Sequence, residues 1–279
     1  MRLAAILTVM FLALAEATAA GPLEDVAAGK GRAADAVDAA VVLAADVSQS
    51  IDHEEFGLQR GGYAAAITSA RLLEAVRSGP HGAIALCFVE WAGEAEQKVV
   101  VGWAVIRNDA DARKFTEALL AAPRSYLGST AIGPAIDFAM TMLGASAPAA
   151  ERRVIDVSGD GLSNQGRSVT DARDAALEAG VVINGLAILD RPGAVDIGDD
   201  YVASRYHPNL RVDLAKYYHD NVIGGFGAFV VPIDDFKDFG DAMTRKLVTE
   251  IAEEGPEGDA PRFRRGLVAE GDRMVESDK

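Results

Sequence analysis

Apolar runs and amphipathic segments alternate along the chain from about residue 37 to residue 252. Short apolar runs bounded by turn residues are typical of strands, and longer stretches with apolar residues every three or four positions are typical of helices. The predicted strands are 39–46, 83–91, 97–106, 153–158, 181–188 and 228–233. The predicted helices are 53–77, 109–121, 131–143, 169–179, 213–221 and 235–252. Strands that alternate with helices indicate β-α-β units and therefore a mostly parallel sheet.

The strand sequences predict how the sheet is covered. The runs AAVVLAAD, VVINGLAIL and AFVVPI are apolar nearly throughout, as expected of strands buried on both faces. Only the strand at 97–106 follows its predecessor too closely for a crossover helix, which predicts an antiparallel edge strand. We therefore expect an α/β fold: a doubly wound, mostly parallel six-stranded sheet with one antiparallel edge strand and helices on both faces. In the strand order 3-2-1-4-5-6, the ligand crevice lies at the carboxyl ends of strands one and four.

The first twenty residues, MRLAAILTVMFLALAEATAA, combine one early Arg, a short apolar run and a small-residue ending with Ala-x-Ala. This pattern is typical of a secretory signal peptide and predicts cleavage near Ala19 or Ala20. The apolar run is shorter than the roughly 20 residues that span a bilayer comfortably, and no later segment is longer. We expect a periplasmic or secreted protein without a membrane span in the mature chain. The predicted divisions are 1–20 signal peptide, 21–36 linker, 37–253 domain and 254–279 mobile charged tail.

Charge and cysteine content exclude some functions. The formal net charge of -15 argues against a nucleic-acid partner, because such binding depends on Lys and Arg. The single cysteine, Cys87, cannot form an intramolecular disulfide, and its apolar surroundings IALCFVEW predict a buried structural thiol.

Oxygen-bearing side chains follow the two strands that border the predicted crevice. Asp46, Ser48 and Ser50 stand at alternate positions after the first strand, and Asp160 follows the strand at 153–158. Thr130 precedes the helix that leads into that strand. Carboxylate and hydroxyl oxygens suit a hard divalent cation such as Mg2+, Mn2+ or Ca2+, and the absence of imidazole and thiolate from these segments disfavours zinc.

Other roles are open to some of these residues. Asp-x-Ser-x-Ser before a helix is also typical of helix capping, but Asp52 and Glu55 already form a capping box there. Thr130 could equally cap the helix that begins at Ala131. Asp156, inside a strand, is expected to have a structural hydrogen-bond partner rather than a ligand role. The four histidines lie in unrelated segments and are assigned no chemistry.

The motifs DVSQS, GST and GDG together resemble the metal-ion-dependent adhesion site (MIDAS) of von Willebrand factor type A (VWA) domains. The resemblance covers about residues 37–253, and YYHDNVIGGFGAFVV further resembles a family of exported bacterial proteins with a type A-like domain and no assigned function. It implies that the metal ligands are Asp46, Ser48, Ser50, Thr130 and Asp160, with the two serines direct and Asp160 acting through water. Gly159 departs from the pattern, since many type A domains carry a hydroxyl residue there.

The resemblance implies a binding module in which the metal accepts a carboxylate from a partner protein. One alternative is a metal-dependent phosphohydrolase with Asp46 as nucleophile, although such enzymes usually carry a second acid where Ser48 stands. A dinucleotide-binding protein is a weaker alternative, because GDGLSN lacks the third glycine of the fingerprint. The long loop at 190–208 is predicted to overhang the crevice. No catalytic constellation is recognised.

Overall fold

The computed structural model describes residues 36–189 and 213–252. The predicted signal peptide, the loop at 190–208 and the tail lie outside these residues, as does all but the last residue of the predicted linker. Within the described residues, no helix is both long enough and apolar enough to cross a membrane.

A six-stranded sheet forms the centre of the domain, in the order β3-β2-β1-β4-β5-β6. Its strands are β1 (Val37–Asp46), β2 (Ile84–Trp91), β3 (Gln97–Ile106), β4 (Ala150–Gly159), β5 (Val182–Ile188) and β6 (Val230–Ile233). Among these described strands, the β2–β3 pair is antiparallel and the other pairs are parallel. The predicted fold class and antiparallel edge strand are confirmed, and the strand order is the 3-2-1-4-5-6 order considered above.

Seven α-helices connect or flank the described strands. They are α1 (His53–Ile67), α2 (Ala70–Ser78), α3 (Asp109–Ala121), α4 (Ile132–Ala145), α5 (Val169–Glu178), α6 (Leu214–Tyr217) and α7 (Phe239–Ala252). A π-helical turn, Tyr218–Val222, continues α6, and a 3-10 turn, Phe236–Asp238, precedes α7. The capping box predicted for α1 is present, because Asp52 accepts from the backbone of Glu55 and the Glu55 carboxylate accepts from the backbone N–H of Asp52.

The prediction of one helix over 53–77 was wrong, because the chain breaks between α1 and α2. Thr68 turns its hydroxyl back to the carbonyl of Ala64 at 2.8 Å, and Ser69 begins a new helix by accepting from the backbone N–H of Leu72 at 3.2 Å. Ser and Thr side chains compete in this way for backbone groups inside a helix. The apolar pattern of the two halves is compatible with a single helix, so periodicity alone could not reveal the break.

Alternate residues of the central strand β1 enter two separate cores. Val41 and Leu43 pack with residues of α1, α2, α3 and α7 on one face of the sheet. Val42 and Ala44 pack with residues of α4, α5 and α6 on the other face. Cys87 of β2 is completely buried in the second core, where burial raises the pKa of its thiol to about 11. The predicted buried structural thiol is confirmed.

The carboxyl ends of β1 and β4 lie side by side. Ala45 of β1 is in register with Ser158 of β4, so the next residues, Asp46 and Gly159, end the two strands at the same edge. Just after β1 the chain is still hydrogen-bonded to β2, since the backbone N–H of Val47 donates to the carbonyl of Trp91 at 2.8 Å. This edge is where the predicted ligand crevice should lie.

Candidate metal centre

Asp46 occupies the floor of the crevice and is completely buried. Its Oδ1 accepts a hydrogen bond from the backbone N–H of Ser48 at 2.7 Å, which curls the chain back over the strand end. Its Oδ2 has no hydrogen-bond partner among the described residues. A buried carboxylate oxygen without a partner is unfavourable, which makes this atom a candidate ligand for a further group.

The two serines connect Asp46 to Asp160. The hydroxyl oxygens of Ser48 and Ser50 lie 3.1 Å apart, and the Ser50 hydroxyl donates to Asp160 Oδ1 at 2.6 Å. Ser50 and Asp160 are separated by 110 positions in the sequence. The parallel pairing of β1 with β4 brings the two segments together.

Thr130 completes the cluster from a third segment. Its hydroxyl points toward Ser48 Oγ at 3.4 Å, and the side chain is nearly buried. It does not cap the following helix: Ala131 holds the N-cap position of α4, and no side-chain capping bond is made there. The first-turn N–H of Ile132 is instead accepted by the Ser163 hydroxyl at 3.1 Å. The choice that the sequence left open for Thr130 is thus decided against capping.

Arg124 holds the loop that carries the serines. One terminal nitrogen of its guanidinium lies 2.8 Å from each of three backbone carbonyls, those of Val47, Ser48 and Ile51. The guanidinium also lies 5.3 Å from the centre of the Phe56 ring. Three carbonyls on one nitrogen fix the curvature of this loop, so Arg124 positions Ser48 and Ser50 without belonging to the oxygen cluster.

A buried ion pair links the same region to the segment that leads to Thr130. Glu90 is completely buried and accepts from Arg60 Nε at 3.0 Å. Its other oxygen accepts from the backbone N–H of Ser125 at 2.9 Å. On the opposite side, Asn164 exchanges two hydrogen bonds with the backbone of Thr130, at 3.1 and 2.8 Å. The three segments of the cluster are therefore braced against one another.

The electrostatics of the cluster favour a bound cation. Burial raises the pKa of Asp46 well above its ordinary value, and the nearby charge of Asp160 raises it further. Arg124 opposes this shift, but its nitrogens are directed to carbonyl groups. Among the described residues, Asp46 forms no ion pair. An all-oxygen donor set with a buried, unpartnered carboxylate oxygen fits a hard divalent ion, which would balance the charge that the pKa shift reflects.

Sequence reasoning brought together the five oxygen-bearing side chains but missed several neighbours. Arg124 and Glu90 carry no motif, and their importance appears only when three loops meet. Tyr218 was noted only within a family-like segment. The Tyr218 hydroxyl lies beside Gly159, the residue that departs from the MIDAS pattern. A Cβ on Gly159 would stand 2.7 Å from this hydroxyl and 2.9 Å from Asp46 Oδ2.

A second cluster of possible metal ligands lies at the opposite, amino-terminal edge of the sheet. Ligand atoms of Asp38, His81 and Glu151 all lie within 4.8 Å of one another. Asp38 already accepts from the backbone N–H groups of His81 at 2.8 Å and Ala83 at 3.2 Å. The His81 ring lies 3.0 Å from the Glu151 carboxylate. The sequence analysis assigned His81 no chemistry because the four histidines lie in unrelated segments.

Comparison with solved structures identifies the fold as that of VWA domains. One similar structure is proximal thread matrix protein 1 from the mussel byssus, with a zinc-occupied MIDAS motif, at a TM-score of 0.52 and 17% identity over 77% of this chain and 46% of that chain. Another is a von Willebrand factor type A protein from Catenulispora acidiphila, at a TM-score of 0.50 and 14% identity over 77% of this chain and 43% of that chain. This chain thus spans less than half the length of both proteins.

The sequence comparisons give the family. A family profile described as "Protein of unknown function (DUF1194)" matches residues 36–255. The chain belongs to this family, and its domain has the VWA fold. A search among curated proteins found no significant sequence match.

Proposed function

We propose that this chain is an exported VWA binding module that holds a divalent metal ion and, through it, engages an acidic group of a partner protein. The proposed ligands are Asp46, Ser48, Ser50, Thr130 and Asp160. The observation that carries the proposal is their continuous contact network around a completely buried carboxylate that has an unpartnered oxygen and no ion pair among the described residues.

The charges of the proposed ligands and the residues that hold them in place both suit binding of an outside carboxylate to the metal. Three of the five proposed ligands are neutral hydroxyls, and the resemblance to MIDAS sites implies that Asp160 acts through water, so Asp46 would be the one carboxylate of the set in direct contact with the ion. An ion with few charged ligands in direct contact stays electrophilic and can accept a carboxylate from outside. The chain holds its own donors in place through Arg124, Glu90 and Asn164, so little ordering is needed when a partner arrives.

A polar cavity beside the cluster would receive the part of the partner that flanks its acidic group. The cavity has a volume of about 470 Å3 and is lined by hydroxyl and amide side chains, among them Ser163, Asn164, Gln165, Ser168, Thr170 and Tyr217. Asn164 and Ser163 also hydrogen-bond the backbone at Thr130 and Ile132. Partner contacts in the cavity would therefore be adjacent to the metal ligands, and hydrogen-bonding groups on the partner would suit its lining.

The metal part of the proposal is tested by titrating the purified protein with Mg2+, Mn2+ and Zn2+ in a calorimeter. Zn2+ is included because the similar mussel protein has a zinc-occupied motif. Asp46→Asn should abolish binding. Asp38→Asn is the matched control, because it makes the same change at a buried position of the same strand. Loss of binding in Asp38→Asn and retention in Asp46→Asn would place the metal at the opposite edge of the sheet and overturn the proposal.

The partner part is tested by affinity capture from an extract of exported proteins. Capture should require added Mg2+ or Mn2+, should be lost with chelator and with Asp46→Asn, and should persist with Asp38→Asn. Esterification of the carboxylates in the extract should also abolish capture. Partner binding that survives both chelator and Asp46→Asn would contradict a metal-bridged contact.

The phosphohydrolase alternative predicts a different result. It needs Asp46 to reach a substrate as nucleophile, whereas Asp46 is completely buried and Ser48 stands where a second acid is usual. Hydrolysis of generic phosphate esters in the presence of Mg2+, abolished by Asp46→Asn, would favour the enzyme over the binding module.

Export is proposed from residues 1–20, which the structure does not describe. Expression of the full chain in a Gram-negative host should give a periplasmic or secreted product whose mass corresponds to cleavage near Ala19 or Ala20. A cytoplasmic product that retains residues 1–20 would contradict this assignment.

A further inference from the structure

Tyr218 is completely buried in the core beneath the metal centre, yet its hydroxyl has no hydrogen-bond partner among the described residues. A buried phenol normally finds a partner for its hydroxyl, because burying it without one is unfavourable. Tyr218 begins the π-helical turn after α6, a rare backbone feature that is frequent at functional sites. The hydroxyl therefore requires an explanation.

Two strand glycines make room for this side chain. A Cβ on Gly185 of β5 would stand 2.8 Å from the Tyr218 ring, and a Cβ on Gly159 of β4 would stand 2.7 Å from its hydroxyl. Glycine inside a strand often marks the close approach of another group. The two glycines form a slot across neighbouring strands that directs the hydroxyl to the carboxyl edge of the sheet.

The slot leads to Asp46. The position that a Cβ on Gly159 would occupy lies 2.9 Å from Asp46 Oδ2, so the two unpartnered buried oxygens face the same small space. A tyrosine hydroxyl carries its proton at neutral pH and can therefore donate a hydrogen bond. A carboxylate oxygen has two lone pairs and can face a cation while accepting a hydrogen bond.

We propose that Tyr218 is a positioning residue of the metal centre, whose hydroxyl donates a hydrogen bond to Asp46 Oδ2 and fixes the orientation of that carboxylate. This inference rests on the proposed function for its effect on metal affinity. The proposed hydrogen bond joins two groups of the chain itself, so it can be tested without metal. Outer partners of ligating carboxylates commonly change metal affinity by about 10-fold to 100-fold when removed.

The experiment compares Tyr218→Phe with Tyr63→Phe, using Mn2+ alone as the probe. Tyr63 is the matched control: it is completely buried, but its hydroxyl already has a partner in Ser158 at 2.9 Å. Calorimetric titration should show Mn2+ affinity about tenfold weaker in Tyr218→Phe and within about twofold of wild type in Tyr63→Phe. Equal affinities for Tyr218→Phe and wild type would overturn the proposal and leave the metal centre itself intact.

The second measurement needs no metal. In the presence of chelator, the midpoints of urea unfolding are measured for wild type, Tyr218→Phe, Asp46→Asn and the double variant. Together they form a double-mutant cycle. A hydrogen bond predicts that Tyr218→Phe lowers the midpoint and that the two changes are not additive, because Tyr218→Phe removes the donor of the contact and Asp46→Asn replaces its charged acceptor. An isolated hydroxyl predicts a raised midpoint, since phenylalanine removes a buried polar group without a partner, and additive changes.

The two measurements separate the possible failures. If wild type binds no Mn2+, the proposed function fails, and the metal-free cycle alone decides the Tyr218 contact. Non-additive midpoints then support the hydrogen bond, and additive midpoints overturn it. If wild type binds Mn2+ through Asp46, the affinity of Tyr218→Phe decides whether the hydroxyl positions the ligand.

Discussion

Two completely buried aspartates, Asp46 and Asp156, lie in neighbouring strands of the sheet and have different surroundings. Asp156, in β4, faces α7, where Lys246 Nζ lies 2.7 Å from its Oδ2. Asp46, at the end of β1, faces hydroxyl groups and a second carboxylate, and forms no ion pair among the described residues. The chain thus supplies its own cation to one buried acid and none to the other. This difference supports a structural role for Asp156 and is a reason to propose that Asp46 binds an external cation.

The surroundings of Asp156 form a polar group within the core, in which Asp156 Oδ1 and Glu250 Oε2 have no hydrogen-bond partner among the described residues. Lys246 is also paired with Glu250, one turn along α7, and both side chains are almost completely buried. Asn184 of β5 donates to Glu250 Oε1 at 2.8 Å. The prediction that Asp156 has a structural partner is consistent with this ion pair. The partner is a cation from a helix, Lys246.

The largest effect is expected from removing the internal cation. Lys246→Met would leave Asp156 and Glu250 buried without their partner and should lower the free energy of unfolding by about 3–5 kcal/mol. Urea unfolding in chelator measures the loss. Lys216→Met is the control, because its ion pair with Asp220 is exposed and should contribute nothing measurable. A small loss in Lys246→Met would mean that the two buried acids do not depend on the lysine.

Adding the external cation should have the next largest effect. At a Mn2+ concentration about 100 times the Kd, the free energy of unfolding of wild type should rise by about 2.7 kcal/mol. Asp46→Asn should show no rise, and chelator should reverse the rise in wild type. Equal stabilisation of both proteins would show that the ion binds elsewhere and would remove the contrast between the two aspartates.

The pH dependence of the free energy of unfolding tests the surroundings of Asp156. Burial raises the pKa of Asp156 to about 7. The charge of Lys246 lowers this pKa, and the charge of Glu250 raises it. Tyr63 also lies within range of this charge. Because the folded pKa exceeds the unfolded value of 3.8, protonation favours the folded state. The stability that Asp156 contributes is complete below about pH 4 and is lost as pH rises to about 7.

Between pH 6 and 7 this loss should amount to about 1 kcal/mol in wild type. Urea unfolding in chelator, compared between wild type and Asp156→Asn, isolates the contribution, since the titration of Asp46 is common to both proteins. Parallel pH profiles for the two proteins would contradict a raised pKa at Asp156.

The smallest effect concerns the loop that presents the serines. Arg124→Ala removes the hydrogen bonds to the carbonyls of Val47, Ser48 and Ile51 and should weaken Mn2+ binding about threefold through loss of preorganisation. The Mn2+ affinity of Arg124→Lys should lie between those of wild type and Arg124→Ala, because an ammonium keeps the charge but lacks the planar geometry of the guanidinium. Arg113→Ala, which breaks an exposed ion pair with Asp109, is the control for loss of an arginine. Unchanged affinity in Arg124→Ala would mean that the loop keeps its shape unaided.

Much of the fold and the proposed metal cluster could be predicted from the sequence. Alternating apolar runs and helical periods identify the strands and helices, and the close spacing of β2 and β3 identifies the antiparallel pair. Asp46, Ser48 and Ser50 follow a strand end, and Asp160 follows the neighbouring strand end, so parallel pairing alone brings them together. Their role as metal ligands stays a prediction.

The residues that support the cluster could not be predicted in this way. Lys246 follows the helical pattern of α7 and lies at a position that the sequence cannot distinguish from an exposed lysine. Arg124 acts on backbone carbonyls, which carry no sequence signal. Tyr218 lies near Asp46 because Gly159 and Gly185, in two different strands, leave space for its side chain.

The sequence by itself determined the order of strands and helices and the chemical nature of the groups at the strand ends, because hydrophobic periodicity and motif spacing are local properties of the chain. The tertiary structure alone decided which buried acid received an internal cation, which loop an arginine holds and which tyrosine lies near Asp46. These contacts join segments far apart in sequence, and their energies depend on distance and burial that exist only after the sheet and helices have packed together.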